Sequence, residues 1–210
     1  MGKITALRAN SRRKRISIFV DGSFSFAINK ESAVKNHLQV GQELSQNQIE
    51  ELIQADLARY CFDAALQFLS YRPRSEAEVR QRLYRRSFSA DAVDKTIIGL
   101  KEQNLIDDTV FAQFWKGNRL AFNPRSQQLI KRELRQKGIS AETIDEVVGD
   151  LDDETSAYKA GQKKARASST LDYDEFQRRL SAYLRWRGFN YEIINSVVAR
   201  LWQEQQTASV

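Results

Sequence analysis

The 210-residue sequence carries 33 Lys and Arg against 27 Asp and Glu, with one His and one Cys, for a net charge of +6 at neutral pH. With 41% hydrophobic and 29% charged residues it reads as a folded chain, long enough for one large domain or several small ones. A lone cysteine excludes an internal disulfide, a lone histidine beside it excludes a Cys/His zinc site, and no apolar run approaches a membrane span. The N-terminus is basic and polar without the apolar stretch of a leader, so a reducing cytoplasm is the expected compartment. Two prolines and nine glycines favour long helices with few irregular loops. The basic excess sits at the two ends. Residues 1–30 carry seven Lys/Arg against one acid, whereas the blocks 61–110 and 111–160 each balance at eight against eight. Such a distribution suits a polyanionic partner.

In chain order, RISIFVDGSFSFAINKE places Ile16, Ile18 and Val20, then Phe24, Phe26 and Ile28, in alternation around Asp21-Gly22, which predicts a β-hairpin. A short helix near residues 31–37 should follow, then a turn at Gly41 and a helix opening at Ser45. A lone hairpin is marginal in water, so it must pack on its short helix and on the helical repeat that begins at residue 59. His37 reads as a surface residue at a helix end, and Cys61 as a small buried helix residue.

From residue 59 onward the chain repeats itself. Take Leu83, Leu134 and Leu184 as anchors. Val79, Ile130 and Leu180 stand four positions before them. Val93, Ile144 and Ile194 stand ten after, Ile97, Val148 and Val198 fourteen after, and Leu100, Leu151 and Leu201 seventeen after. Five apolar columns thus match at offsets of 51 and 50 residues, with the spacing of one helix face on either side of a break.

Each unit reads as three helices. The first is aromatic-rich in ARYCFDAALQFLSY and DTVFAQFWKGNRLAF and more polar in DETSAYKAGQKKARA. The second follows Pro-Arg-Ser in two units. Ser75 and Glu78 have capping-box spacing, Ser126 is an N-cap, and Asp172 or Asp174 opens the third unit's helix. Gly138 and Gly188 end the second helix with a left-handed cap, where the first unit has Ser87, a worse cap by up to about 1 kcal/mol. The third helices cover about 90–101, 141–151 and 191–202. Asp107-Asp108 and Asp152-Asp153 are explained by helix N-capping rather than metal binding. The expected organisation is an N-terminal extension at 1–58, repeats at 59–107, 108–152 and 153–203, and a tail at 204–210.

Bases concentrate on the second helices, for example Arg80, Arg82, Arg85 and Arg86 in the first, while Asp91, Asp94, Glu142, Asp145 and Glu146 make the third helices acidic. Arg86, Lys137 and Arg187 form one basic column and Arg80 with Lys131 another. Stacked repeats would line such columns along one face, although the same bases also suit solvated helix surfaces and last-turn positions. Phe111, Phe114 and Trp115 are spaced for a core stripe, whereas Tyr183 and Trp186, beside Arg185 and Arg187, are candidates for exposure. No phosphate-binding glycine loop, paired His/Cys or serine elbow is present. The chain therefore reads as a binding protein, not an enzyme, with no metal or cofactor expected.

Together FLSYRPRSEAEVRQRL, LIDDTVFAQFW, NPRSQQLIKRELRQKGIS and YLRWRGFNYEIINSVV resemble the RecX family of bacterial RecA regulators. FVDGSFSFAINKESAVKNHLQVGQEL looks like the N-terminal β-containing extension of its longer members, and Ser87 departs from the glycine that usually ends KGF-like runs. The resemblance implies a mainly α fold, three tandem three-helix repeats forming an elongated curved body after a small β-hairpin segment. It implies binding in the groove of the RecA–DNA filament, restraining ATP hydrolysis, strand exchange and coprotease activity, and so regulating recombination, DNA repair and the SOS response. It brings no catalytic residue or cofactor. On this reading Arg80, Arg86, Lys131, Arg135, Lys137, Arg185 and Arg187 line the contact face of a monomer that meets no membrane. Single- or double-stranded DNA is a further candidate partner, and the basic arm RANSRRKR at 8–15 serves phosphate contact or solubility. The alternatives are a helical repeat protein that binds DNA without RecA and an adaptor for an acidic protein.

Overall fold

A computed structural model describes residues 1–10, 14–166 and 171–208. Positions 11–13 of the basic arm lie outside the described residues. The chain divides into two compact units, Met1–Tyr71 with Arg80–Gln103, and Arg72–Val79 with Asn104–Val210.

In the first unit, β1 (Gly2–Asn10), β2 (Arg15–Val20), β3 (Ser23–Asn29) and the short β4 (Glu43–Leu44) form an antiparallel sheet of order β3-β2-β1-β4. The predicted hairpin is β2–β3, turning at Asp21 and Gly22, both with positive φ. The sequence reading had no β1 or β4. A register shift between Ile4 and Ala6 breaks the alternation that would have marked β1, and β4 is only two residues long. The turn is tied to β1: Asp21 accepts the Lys3 N–H at 2.9 Å, and the Gly22 N–H donates to Thr5 Oγ1 at 3.0 Å. Alternation sends Ile4, Ile18, Phe26 and Ile28 to one face, where Ala33, Leu44 and Ile49 bury them.

The short helix α1 (Lys30–Lys35) ends before His37, which is exposed with φ of 50°. Next, α2 (Gln46–Leu69) opens on a closed capping box, Ser45 accepting from the Gln48 N–H and the Gln48 side chain accepting from the Ser45 N–H. It runs unbroken through the point where the sequence pattern divides extension from first repeat. Its buried Asp56 accepts from the Asn29 N–H at 2.7 Å and from Arg15 at 2.9 Å, clamping the helix to the end of β3. Cys61 is buried, and burial pushes its thiol pKa up against an opposing hydrogen bond with Thr96. The chain continues through α3 (Glu76–Tyr84) to α4 (Ala90–Glu102), which Ser89 caps.

In the second unit, α5 (Asp108–Phe122), α6 (Gln127–Gln136) and α7 (Ala141–Val148) enclose Phe111, Ile130, Leu134, Ile144 and Val148. The helices α8 (Asp153–Arg166), α9 (Tyr173–Trp186) and α10 (Tyr191–Ala208) enclose Phe176, Leu180, Leu184, Ile194, Val198 and Leu201. The five apolar columns are therefore the repeat cores, and only Leu151 among them is partly exposed. Each such side chain contributes roughly 1.5–3 kcal/mol when buried, which makes these columns the main stabilising feature of the array. The fold is mainly helical, with three tandem three-helix domains after the small sheet.

All three second helices end on a left-handed residue: Ser87 at φ 61°, Gly138 at 80° and Gly188 at 86°. A Cβ makes that conformation costly. Ser87→Gly should raise the unfolding free energy by about 0.5–1 kcal/mol, measured by urea denaturation followed by circular dichroism. An unchanged or lowered midpoint would contradict this account of the cap.

Candidate partner interface

The charges segregated in the sequence meet in space. Arg80 of α3 pairs with Asp94 of α4, and its equivalent Lys131 of α6 pairs with Asp145 of α7 at 2.6 Å. Hydrogen bonding and charge from Lys131 hold Asp145 below the ordinary carboxylate range. In the third repeat Ser181 and Asn195 stand at these positions, lining an open groove between α9 and α10 together with Arg178, Arg185 and Tyr191.

A second set of bases belongs to the joints between repeats. The Pro-Arg-Ser that precedes α3 docks on the end of α6. The buried Ser75 hydroxyl donates to the Lys137 carbonyl at 2.7 Å and accepts from the Glu78 N–H at 3.2 Å. Glu78 does not close the capping box suggested by its spacing. Its carboxylate instead takes both guanidinium nitrogens of Arg72 at 3.1 Å and the Lys137 ammonium at 2.5 Å. Burial works to raise the Glu78 pKa, but these bonds and charges outweigh it and hold the carboxyl below its ordinary value. Lys137 also lies 5.0 Å from the centre of the Trp115 ring.

The next Pro-Arg-Ser docks on the end of α9 in the same way. The Ser126 N–H donates to the Arg187 carbonyl at 3.0 Å, and the Arg187 guanidinium donates to Asn123 and to the Pro124 carbonyl. Arg187 also stacks 4.4 Å over Tyr183. Both joints require glycine at the helix end. A Cβ on Gly138 would stand 2.5 Å from the Ala77 Cβ, and one on Gly188 would stand 2.6 Å from Ser126 Oγ.

The paired aspartates divide the capping work. Asp107 and Asp152 accept N–H groups at the start of their own helices. Asp108 and Asp153 accept the Glu76 and Gln127 N–H groups at the start of the second helix in the preceding repeat. Burial pushes the Asp153 carboxyl up, the Gln127 N–H pulling the other way.

The seven candidate bases thus fall into three groups. Arg80 and Lys131 make ion pairs within their repeats, while Lys137 and Arg187 hold joints. Arg86, Arg135 and Arg185 are exposed and make no ion pair among the described residues. Trp186 is 69% exposed, with the Arg125 and Arg187 guanidiniums 5.7 and 5.8 Å from its ring centre. The sequence reading missed the cluster around the buried Glu133, which accepts from Trp115 Nε1 and Arg119 at 2.7 Å and from Arg125. The Arg of the second Pro-Arg-Ser was its one available signal.

These features define a tandem helical-repeat protein whose second-helix ends carry both the joints and a set of exposed arginines. Residues 2–45 match the Regulatory protein RecX N-terminal domain. Residues 61–98, 107–148 and 152–198 match the first, second and third three-helix domains of RecX. The chain belongs to the RecX family of regulatory proteins. It is 30% identical over 207 residues to Regulatory protein RecX of Clostridium perfringens (strain SM101 / Type A), covering 96% of this chain and 97% of the relative. The same-named protein of Lactobacillus gasseri is 29% identical over 201 residues, covering 94% and 74%. In fold the chain is similar to a crystal structure of regulatory protein RecX, with a TM-score of 0.66, 24% identity and coverage of 94% and 98%. RecX from Lactobacillus salivarius gives 0.59 at 25% identity, covering 70% and 97%. Among the described residues, no helix is long and apolar enough to cross a membrane.

The Glu78 joint has a defined pH signature. A folded pKa below the unfolded one means that its stabilisation is present above the ordinary glutamate range and is lost as pH falls through the depressed folded value. Glu78→Gln should therefore cost about 1–3 kcal/mol at pH 7, a deficit that shrinks as both proteins are titrated towards pH 3. Urea midpoints across that range measure it, and a deficit independent of pH would show that the charge is not what holds the joint.

Proposed function

We propose that this protein regulates the RecA recombinase by binding the RecA–DNA filament, restraining its ATP hydrolysis, strand exchange and coprotease activity. The observation that carries this reading is the succession of all four RecX domains along the chain. A filament is a repeating, charged object, and a protein with repeated units engages it through several modest contacts that add up by avidity.

The contact surface in this proposal is the set of second-helix bases. Arg86, Arg135 and Arg185 are exposed and available to acidic groups, and the exposed Trp186 follows Arg185 in sequence. Arg80 and Lys131 contribute by exchanging surface ion pairs, each worth roughly 0–1 kcal/mol, for the partner's carboxylates or phosphates. Lys137 and Arg187 contribute mainly by fixing the helix ends from which the others project.

The test is RecA's single-strand-DNA-dependent ATPase, titrated with the protein at two salt concentrations. Inhibition should weaken at the higher salt. The triple variant Arg86→Glu, Arg135→Glu, Arg185→Glu should raise the half-inhibitory concentration about tenfold while the circular dichroism spectrum is unchanged. Unaltered inhibition by the triple variant would remove these residues from the interface. No inhibition by the unmodified protein, with bare DNA still bound, would replace the RecA reading with RecA-independent DNA binding.

A further inference from the structure

The N-terminal sheet has a second face that the repeat array does not explain. One face is closed by α1 and α2 over Ile4, Ile18, Phe26 and Ile28. The register places Ala6 and Arg8 of β1, Ser17 and Phe19 of β2, and Phe24 of β3 on the other face. There the Arg8 guanidinium lies 4.7 Å over the Phe19 ring, and Phe24 meets Phe19 edge-on with centroids 6.0 Å apart. Phe24 is 60% exposed and Arg8 is exposed. A guanidinium stacked on a ring keeps its in-plane N–H donors available for a phosphate. The segment is basic overall, with seven Lys and Arg against the single acid Asp21 in residues 1–30, and exposed Lys3 lies on the turn side of the sheet between Asp21 and its cross-strand partner Glu43.

We infer that this outer sheet face is a docking platform for single-stranded nucleic acid. An unstacked base lies on Phe24 while Arg8, held on Phe19, and Lys3 take the phosphates. An exposed aromatic ring beside a ring-stacked arginine, in a segment of net positive charge, matches single-strand recognition, in which any base offers a π-face and the backbone supplies the charge. A duplex keeps its base faces stacked inside, and this flat face projects no helix or ribbon that could enter a groove. The inference goes beyond the RecA reading and does not depend on it, since the contact is made by the chain alone.

The test is fluorescence anisotropy of the full chain with a labelled oligothymidylate of about 15 nucleotides, and with a duplex of the same length, at several salt concentrations. Phe24→Ala should weaken oligothymidylate binding about tenfold, and Phe24→Tyr should retain it. Arg8→Ala should weaken binding and lower the salt slope by about 0.7. Circular dichroism checks that each variant is folded, which the exposure of Phe24 favours. The inference is overturned by Phe24→Ala binding within twofold of the unmodified protein, or by a duplex bound as tightly and weakened equally. Loss of RecA inhibition in Phe24→Ala with oligothymidylate binding intact would also overturn it, assigning the face to a protein partner instead.

Discussion

The repeat array depends on one interaction, the docking of Pro-Arg-Ser onto a left-handed helix end in the following repeat. The serine alone meets three requirements. It caps its own helix, it is buried, and through its hydroxyl or its N–H it satisfies a carbonyl that the neighbouring helix leaves open. Burying polar groups at a joint is costly unless each finds a partner, and here the partners come from both sides. The glycine opposite supplies the positive φ and the missing Cβ that let the two backbones approach. Neither half works without the other, so the motif and the glycine must occur in adjacent repeats rather than in the same one.

That offset explains the irregularities of the repeat. Pro-Arg-Ser occurs in the first and second units, and the cap glycine occurs in the second and third. The third unit has the glycine without the motif. The first has the motif and carries Ser87 at its helix end, with φ of 61°. Asp108 and Asp153 follow the same logic in reverse, each capping the second helix of the preceding repeat.

Much of this was legible in the sequence, because apolar columns at helical spacing are a direct imprint of burial. The three cores, the helix ends at Gly138 and Gly188 and the cap at Ser126 were read from it, and of Asp172 and Asp174, both open in the sequence, Asp172 is the cap. The sheet was only half legible, since the bulge in β1 removes the alternation by which a strand is recognised. The continuity of α2 was hidden by the opposite effect. Nothing between Ser45 and Ser70 breaks a helix, yet the repeat pattern draws a boundary there. Equivalent bases could be aligned from spacing alone, but whether each had a partner could not. Arg80 and Lys131 find theirs on the next helix and Lys137 on the preceding repeat, distances that one-dimensional periodicity does not report.

The column of Arg86, Lys137 and Arg187 shows how position in the array changes the use of one residue type. In the second and third repeats the base reaches back to the motif docked on its helix end, where it bonds Glu78 in one case and Asn123 in the other. In the first repeat nothing of that kind docks, and the equivalent Arg86 is exposed. The ion-pair column is closed by acids in two repeats and is absent from the third, where Ser181 and Asn195 replace the base and the acid and line an open groove. The last-turn column thus exposes its base in the first repeat alone. The charge available to a partner is therefore set less by how many bases the chain carries than by which of them the repeat architecture leaves unclaimed.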